Sequence, residues 1–254
     1  MPWIYLDLPL TITVEGPLHI GTGYDRGLIQ RTVARDANGN VYIPGSSLKG
    51  KVRNACENLA RLAGLKVCDA PRPETMCGGR GAARCLVCRV FGTPGGNAPD
   101  GRELFWHDAH PTGKWRGLTA TRDRPKAWPV GQTMARTQVQ LSRARGMAAE
   151  DRLYTSEFAT RGLEFTGRVS GWLKATPCSA GVGYYEVNLL LAGLRLVETL
   201  GGGRSRGAGR CEIKLPDEVT IRVDGQDKPE KYTLTDLLAA AEWLVLFTDE
   251  VGGE

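Results

Sequence analysis

The sequence predicts an α+β fold with a ferredoxin-like (RRM-like) core, and three observations carry that reading. Residues 3–15 alternate, with Ile4, Leu6, Leu8, Leu10, Ile12 and Val14 on one face, as a half-buried strand does. Two segments, about 47–63 and about 185–200, repeat apolar residues at helical spacing. Strand-like runs at 103–109, 165–173 and 211–223 complete the order strand, helix, strand, strand, helix, strand. With 254 residues the chain can bury a core without disulfides, and it reads as one domain, 1–254, with insertions at 64–101 and 110–160.

Each element has its own signal. Gly16-Pro17 ends the first strand, and residues 19–40 form a Gly-punctuated loop with a short strand expected at Leu28–Val33. Asn38-Gly39-Asn40 turns the chain into Val41–Ile43. The first helix opens at Ser46 or Ser47, with Leu48, Val52, Ala55, Leu59 and Leu62 on one face. Lys49, Lys51 and Arg53 crowd its first turns, where the helix dipole disfavours cations by roughly a few tenths of a kcal/mol each. Open amides beside such cations suit a bound phosphate, and a solvated basic face is the competing reading. Residues 64–101 are rich in Gly and Pro and show no period. Val187, Leu190, Leu191, Leu194 and Val197 line the second helix, which glycines stop. Cys211–Leu215 and Val219–Val223 read as short strands, Thr233 or Thr235 as the cap of a last helix to Phe247, and Asp249–Glu254 as a frayed tail.

The net charge of +5 is mild, but its distribution is uneven. Residues 114–168 hold eleven basic and five acidic side chains, mostly arginine, interleaved with Trp115, Trp128, Tyr154 and Phe158. Planar cations among aromatic rings favour single-stranded nucleic acid. No leader pattern or membrane-length apolar run occurs, so a cytoplasmic protein without a membrane partner is expected. Seven cysteines are odd in number and read as ligands or core residues rather than bridges. Cys68, Cys77, Cys85 and Cys88 lie within twenty-one residues, and four thiolates make a closed tetrahedral set that prefers structural Zn2+. Free thiols in a glycine-rich loop are the plainer alternative, and Cys56 could replace one ligand. Cys178 and Cys211 read as core. His107 and His110 point to opposite strand faces and do not share a metal. Gly201–Arg210 lacks a phosphate-loop ending, yet Arg204, Arg206 and Arg210 alternate with glycines that let amides approach a phosphate closely.

Pro44-Gly45-Ser46-Ser47-Leu48-Lys49-Gly50-Lys51-Val52-Arg53, after Leu18-His19-Ile20-Gly21-Thr22-Gly23, resembles the CRISPR-associated RAMP superfamily. Val90-Phe91-Gly92 leading to Phe105-Trp106-His107-Asp108-Ala109, and Gly201–Gly209, follow in the family's order. The resemblance is to guide-RNA-binding backbone subunits of type III (III-D-like) or type VII effector complexes. It implies crRNA and target RNA as ligands, further copies of the chain in a filament, other CRISPR effector subunits and, in some systems, a separate nuclease as partners. It also implies a zinc-bound insertion at 64–101 and a thumb β-hairpin at 137–160 that wedges between bases. The RNA-binding residues it implies are His19, Gly21, Ser46, Ser47, Lys49, Lys51, Arg53, Arg143, Arg145, Met147, Phe158, Gly202, Gly203, Arg204, Ser205 and Arg206. Tyr154 and Glu157 lie in the same thumb segment. His19 is expected to orient the Gly21–Gly23 turn.

Many type III backbone subunits, which this chain resembles, cut target RNA with an aspartate in the loop after the His-Ile-Gly motif, six residues before the Asp of an Arg-Asp pair. Counted from Arg35-Asp36, that position is Gln30, which carries no charge, so a non-cutting subunit is expected. The alternative is a metal-dependent endoribonuclease acting through Asp25 in the same loop. A zinc-stabilised RNA-binding protein outside CRISPR systems is a third reading.

Overall fold

A computed structural model describes residues 1–25, 27–77, 84–93, 103–116, 131–179 and 182–239. In chain order the elements are β1 (Trp3–Val14), α1 (Gly45–Leu62), α2 (Leu86–Phe91), β2 (Leu104–Trp106), β3 (His110–Pro111), β4 (Thr133–Ser142), β5 (Met147–Ala159), β6 (Glu164–Lys174), α3 (Tyr185–Arg195), β7 (Cys211–Lys214), β8 (Glu218–Val223), β9 (Glu230–Thr233) and α4 (Leu234–Ala239).

The main sheet runs β2-β6-β1-β8-β9 with every pairing antiparallel. Both strands flanking the central β6–β1 pair are broken in two. β2 and β3 share the outer edge of β6, while β7 pairs Thr11–Val14 and β8 pairs Ile4–Leu6 along the other edge of β1. With those halves counted together, this is the ferredoxin-like arrangement.

The even-numbered residues of β1, from Ile4 to Val14, are buried. They face α1 through Leu48, Val52, Cys56 and Ala60, and α3 through Val187, Leu190, Leu191 and Leu194. The two helices cross closely at Gly193, where a Cβ would stand 2.2 Å from the Cys56 sulfur. Cys178 and Cys211 are buried, as expected for core residues, and Cys56, considered as a replacement ligand, is buried in the core as well, outside the cluster of four.

Four details depart from the sequence reading. Residues 28–33 make only isolated bridges, Arg31 with Ser156 and Val33 with Gly21, because the segment follows β5 without regular pairing. The insertion contains a real helix, α2, whose six residues are too few to show a period. The second helix ends at Arg195 because the chain turns back, with Thr199 bridging Arg210. An edge strand, β9, precedes α4, whose Asp236 amide donates to the Thr233 hydroxyl at 3.1 Å. The helix expected to reach Phe247, the tail Asp249–Glu254, Trp128 and parts of both insertions lie outside the described residues. Among the described residues no helix is long and apolar enough to cross a membrane.

Candidate nucleic-acid interface

Three segments distant in sequence meet just beyond the C-terminal end of β1. The first is the glycine loop after α3. Its course is fixed by main-chain bonds: the Gly202 amide donates to the His19 carbonyl, the Gly209 amide to Pro17 and the Leu200 amide to Gly209, each at 2.8 Å. Glycine is required here. A Cβ on Gly201 (φ +71°) would lie 2.2 Å from the His19 oxygen, and one on Gly209 (φ +86°) 2.0 Å from the Leu200 oxygen. Arg204–Arg206 form a single 3-10 turn between Gly203 and Gly207, both left-handed.

The second segment is the loop opened by His19. Its Nδ1–H donates to the Glu157 carbonyl at 2.7 Å, and its ring lies 5.5 Å from that of Phe158. The ring also abuts Gly21, where a Cβ would come within 3.1 Å of Nε2. Thus His19 ties the loop, the glycine turn and the hairpin together.

The third segment is that hairpin, β4 paired to β5 from Thr133↔Ala159 to Ser142↔Met147 with an irregularity between Val139 and Leu141. On one face of its base, Arg136 stands over the Phe158 ring at 5.6 Å and Arg31 over the Tyr154 ring at 5.5 Å. Arg206 reaches across from the glycine loop to donate to the Tyr154 hydroxyl at 2.8 Å and to Gln138 Oε1 at 3.4 Å. Arg31, Arg136, Gln138, Phe158 and Arg206, with His19, border a cavity of about 100 Å³. The neighbours recorded for the three guanidiniums are rings, an amide and a phenol, which neutralise no charge. Arginine stays protonated at any physiological pH, so the cavity is a fixed positive site with aromatic walls, suited to phosphate and bases.

Two residues fasten the hairpin base to the loop. The Glu157 carboxylate accepts the Val33 amide at 3.1 Å and Arg35 at 2.5 Å. Burial pushes its pKa up, but the Val33 amide and Arg35 outweigh that and leave it below the ordinary carboxylate value. Gln30 binds Thr155 twice: its amide donates to the Thr155 carbonyl at 3.0 Å, and its Oε1 accepts the Thr155 amide at 2.6 Å. Asp25, by contrast, is exposed in the loop.

The residues expected at the interface separate into groups. Arg143, Arg145 and Met147 are exposed at the far end of the hairpin, with Met147 58% accessible. Gly202, Gly203, Arg204, Ser205 and Arg206 are exposed on the glycine loop. Lys51 joins them: its pKa is lowered by burial and then by the charge of Arg204. Lys49, two residues earlier and therefore about 200° away around the helix, turns instead toward Glu103.

Other expectations need correction. Phe158 is 7% exposed beneath Arg136, so it floors the cavity and does not wedge between bases. Glu157 faces inward to Arg35. Arg53 donates to Glu57 at 2.9 Å, to the Gly92 carbonyl at 3.0 Å and toward the Cys88 sulfur at 3.4 Å, so its charge serves the cysteine insertion. Ser46 and Ser47 are exposed at the start of α1, but the Gly45 amide there is already taken by Asp108 Oδ1 at 2.7 Å, which places a carboxylate where a phosphate was expected. His107 and His110, by contrast, go separate ways as expected, to Ser170 at 2.9 Å and to Asp36 at 3.5 Å. Sequence reasoning did not single out Arg31 and Arg136. Their only signal is arginine placed two residues from an apolar position, which is too common to select them.

The sulfur atoms of Cys68, Cys77, Cys85 and Cys88 all lie within 4.8 Å of one another. A tetrahedral ion with metal–sulfur bonds of about 2.3 Å needs sulfurs about 3.8 Å apart, and Cys68–Cys85 is 3.8 Å and Cys68–Cys88 3.2 Å. The four can therefore hold a metal ion. Cys85 caps α2, its amide points to Cys77 Sγ at 3.5 Å, and a hydrogen bond from Cys88 draws its thiol down to about 4. α2 is fastened from its other side as well, by Arg89 to the fully buried Glu186 at 3.3 Å.

A model of the RAMP superfamily matches residues 11–212, which span β1 through β7 and every segment of the cavity. The chain belongs to the RAMP superfamily. It is also 30% identical over 222 residues, covering 78% of each chain, to the CRISPR system Cms endoribonuclease Csm3 of Methanothermobacter thermautotrophicus. The RAMP match spans all three converging segments, so the arginine cavity is built on family elements.

Proposed function

We propose that this chain is a backbone subunit of a CRISPR effector complex, which binds crRNA by its phosphates and positions target RNA without cutting it. One observation carries the reading: Arg31, Arg136 and Arg206, from three segments, converge on one aromatic-walled cavity through neutral partners. Backbone contacts of this kind are independent of sequence, as a subunit serving many guides requires. The half-buried Lys51 and the exposed Arg204, Arg143 and Arg145 extend the basic track, and the exposed Met147 at the hairpin end would enter a base step. Subunits that grip only phosphates can repeat head to tail along one guide, beside other effector subunits. The four cysteines would hold Zn2+ as a closed structural site.

Non-cutting rests on Gln30, whose carboxamide is neutral and already bound to the Thr155 main chain. A separate nuclease partner follows from that. The second reading, cleavage through Asp25, is favoured by the exposure of that carboxylate and by the relative's name as an endoribonuclease. The deciding assay is the assembled complex with matched target RNA and Mg2+ or Mn2+. Intact target on a formed guide duplex is expected; regularly spaced cuts that vanish in Asp25→Ala would establish the second reading.

A further inference from the structure

The sheet face that α1 and α3 do not cover is neither bare nor merely polar. The odd residues of β1 point there, and the antiparallel register fixes their neighbours: Trp3 is opposite Lys174, and Tyr5 is opposite Trp172 on one side and Arg222 on the other. Phe105, opposite Ser170 and thus in the row of Asp7, adds a ring from β2 one row further along the same face. Tyr5 and Trp172 meet edge to face with centroids 5.3 Å apart, and Phe105 meets His107 likewise at 4.6 Å. Phe105 is 64% exposed, and the other three rings are partly exposed.

The charges on this face are arranged in a definite way. Asp7 is ion-paired with Arg168, and Glu218 with Lys231. Lys174 stands over the Trp3 ring at 5.1 Å and Arg222 over the Tyr5 ring at 6.0 Å. Aromatic rings spaced across adjacent strands, two of them beneath a cation, match a strand of unpaired nucleotides: bases stack on rings while phosphates meet the cations. A purely apolar partner would leave Lys174 and Arg222 desolvated. An acidic protein would be met as well by cations alone, and gives no reason for four rings on one face.

We propose that this open face, centred on Trp3, Tyr5, Trp172 and Phe105, is a second binding site for single-stranded RNA. It shares no residue with the arginine cavity. Tyr5 and Val14 are nine residues apart on one strand, about 30 Å, and the cavity begins beyond Val14. The site therefore holds a different stretch of RNA from the one in the cavity, and it does not depend on the proposed role of that cavity.

The test uses the full chain with a labelled oligouridine. Arg136→Ala with Arg206→Ala first removes the cavity's contribution. In that background Phe105→Ala and Tyr5→Ala should each weaken binding on the order of tenfold. Photo-crosslinks to the oligonucleotide should map to the peptides holding Trp3–Tyr5 and Phe105, and oligouridine should quench tryptophan fluorescence. Phe105 is mostly exposed, so its variant keeps the fold and remains informative if Tyr5→Ala does not. Unchanged affinity in Phe105→Ala, together with crosslinks confined to the glycine loop and hairpin, would overturn the proposal. So would a face whose variants alter only self-association or capture of a protein subunit.

Discussion

The cysteine insertion and the glycine loop are both glycine-rich segments without a core of their own, and they are held in opposite ways. The insertion is held by side chains: four thiols drawn together, Arg53 on Glu57 and Arg89 on Glu186. The glycine loop is held by its main chain, through Gly202 to His19, Gly209 to Pro17 and Leu200 to Gly209. The difference decides what the arginines can do. In the insertion they are consumed by carboxylates and serve the fold. In the glycine loop the backbone supplies the order, so Arg204 and Arg206 keep their full charge for a ligand.

The sharpest way to break this comparison is to remove what holds the insertion. The four thiols should carry one equivalent of metal, and chelation, or Cys85→Ser, should release it and cost several kcal/mol of stability, since metal binding to such thiolate sites is coupled to folding. Metal content and thermal unfolding measure it together. Well under one equivalent of metal in the untreated protein, or an unchanged melting temperature after its removal, would show the insertion is held by its ion pairs alone.

Next in size is the glycine loop itself. Gly209→Ala should cost about 2–3 kcal/mol, because the residue is left-handed and its Cβ would collide with the Leu200 carbonyl. RNA affinity should fall with it, as the turn carrying Arg206 loses its anchor. Denaturant unfolding and oligonucleotide titration follow both quantities.

The smallest and most specific effect comes from exchanging the two arginines. Arg206→Ala should leave stability within about 0.5 kcal/mol while weakening RNA binding and lowering the salt slope by about one ion. Arg53→Ala should do the reverse, costing about 1–3 kcal/mol with the RNA salt slope unchanged, because it strands buried Glu57. A salt slope that fell equally in both variants would refute the division between structural and ligand-binding cations.

The parts of the fold that were legible in the sequence are those where one face meets a core. β1 alternates because its even residues are buried. α1 repeats Leu48 and Val52, with Ala55 and Leu59 partly buried beside them, because one side packs on α3 and the sheet, whereas Leu62, expected on that face, is exposed in the last turn. β4 and β5 left no such trace: Thr137, Gln138 and Tyr154, Thr155 sit in a two-stranded ribbon away from the core, so nothing enforces apolar alternation. α2 was hidden for the opposite reason, since Leu86, Val87, Val90 and Phe91 are buried nearly all round and six residues cannot show a period. The cysteine cluster was readable because its ligands are close in sequence. The arginine cavity was only half readable, because Arg31, Arg136 and Arg206 converge through tertiary pairing, and local spacing does not encode that.

His19 has a mechanical meaning. Its imidazole is bolted to the hairpin through Glu157, and its carbonyl to the glycine loop through Gly202. The two jaws of the groove therefore share one rivet, and neither can swing without the other. Such a groove is a fixed gauge, to which a strand bound as proposed would have to conform. Its entropic cost of closure falls on the flexible strand while the protein stays preset.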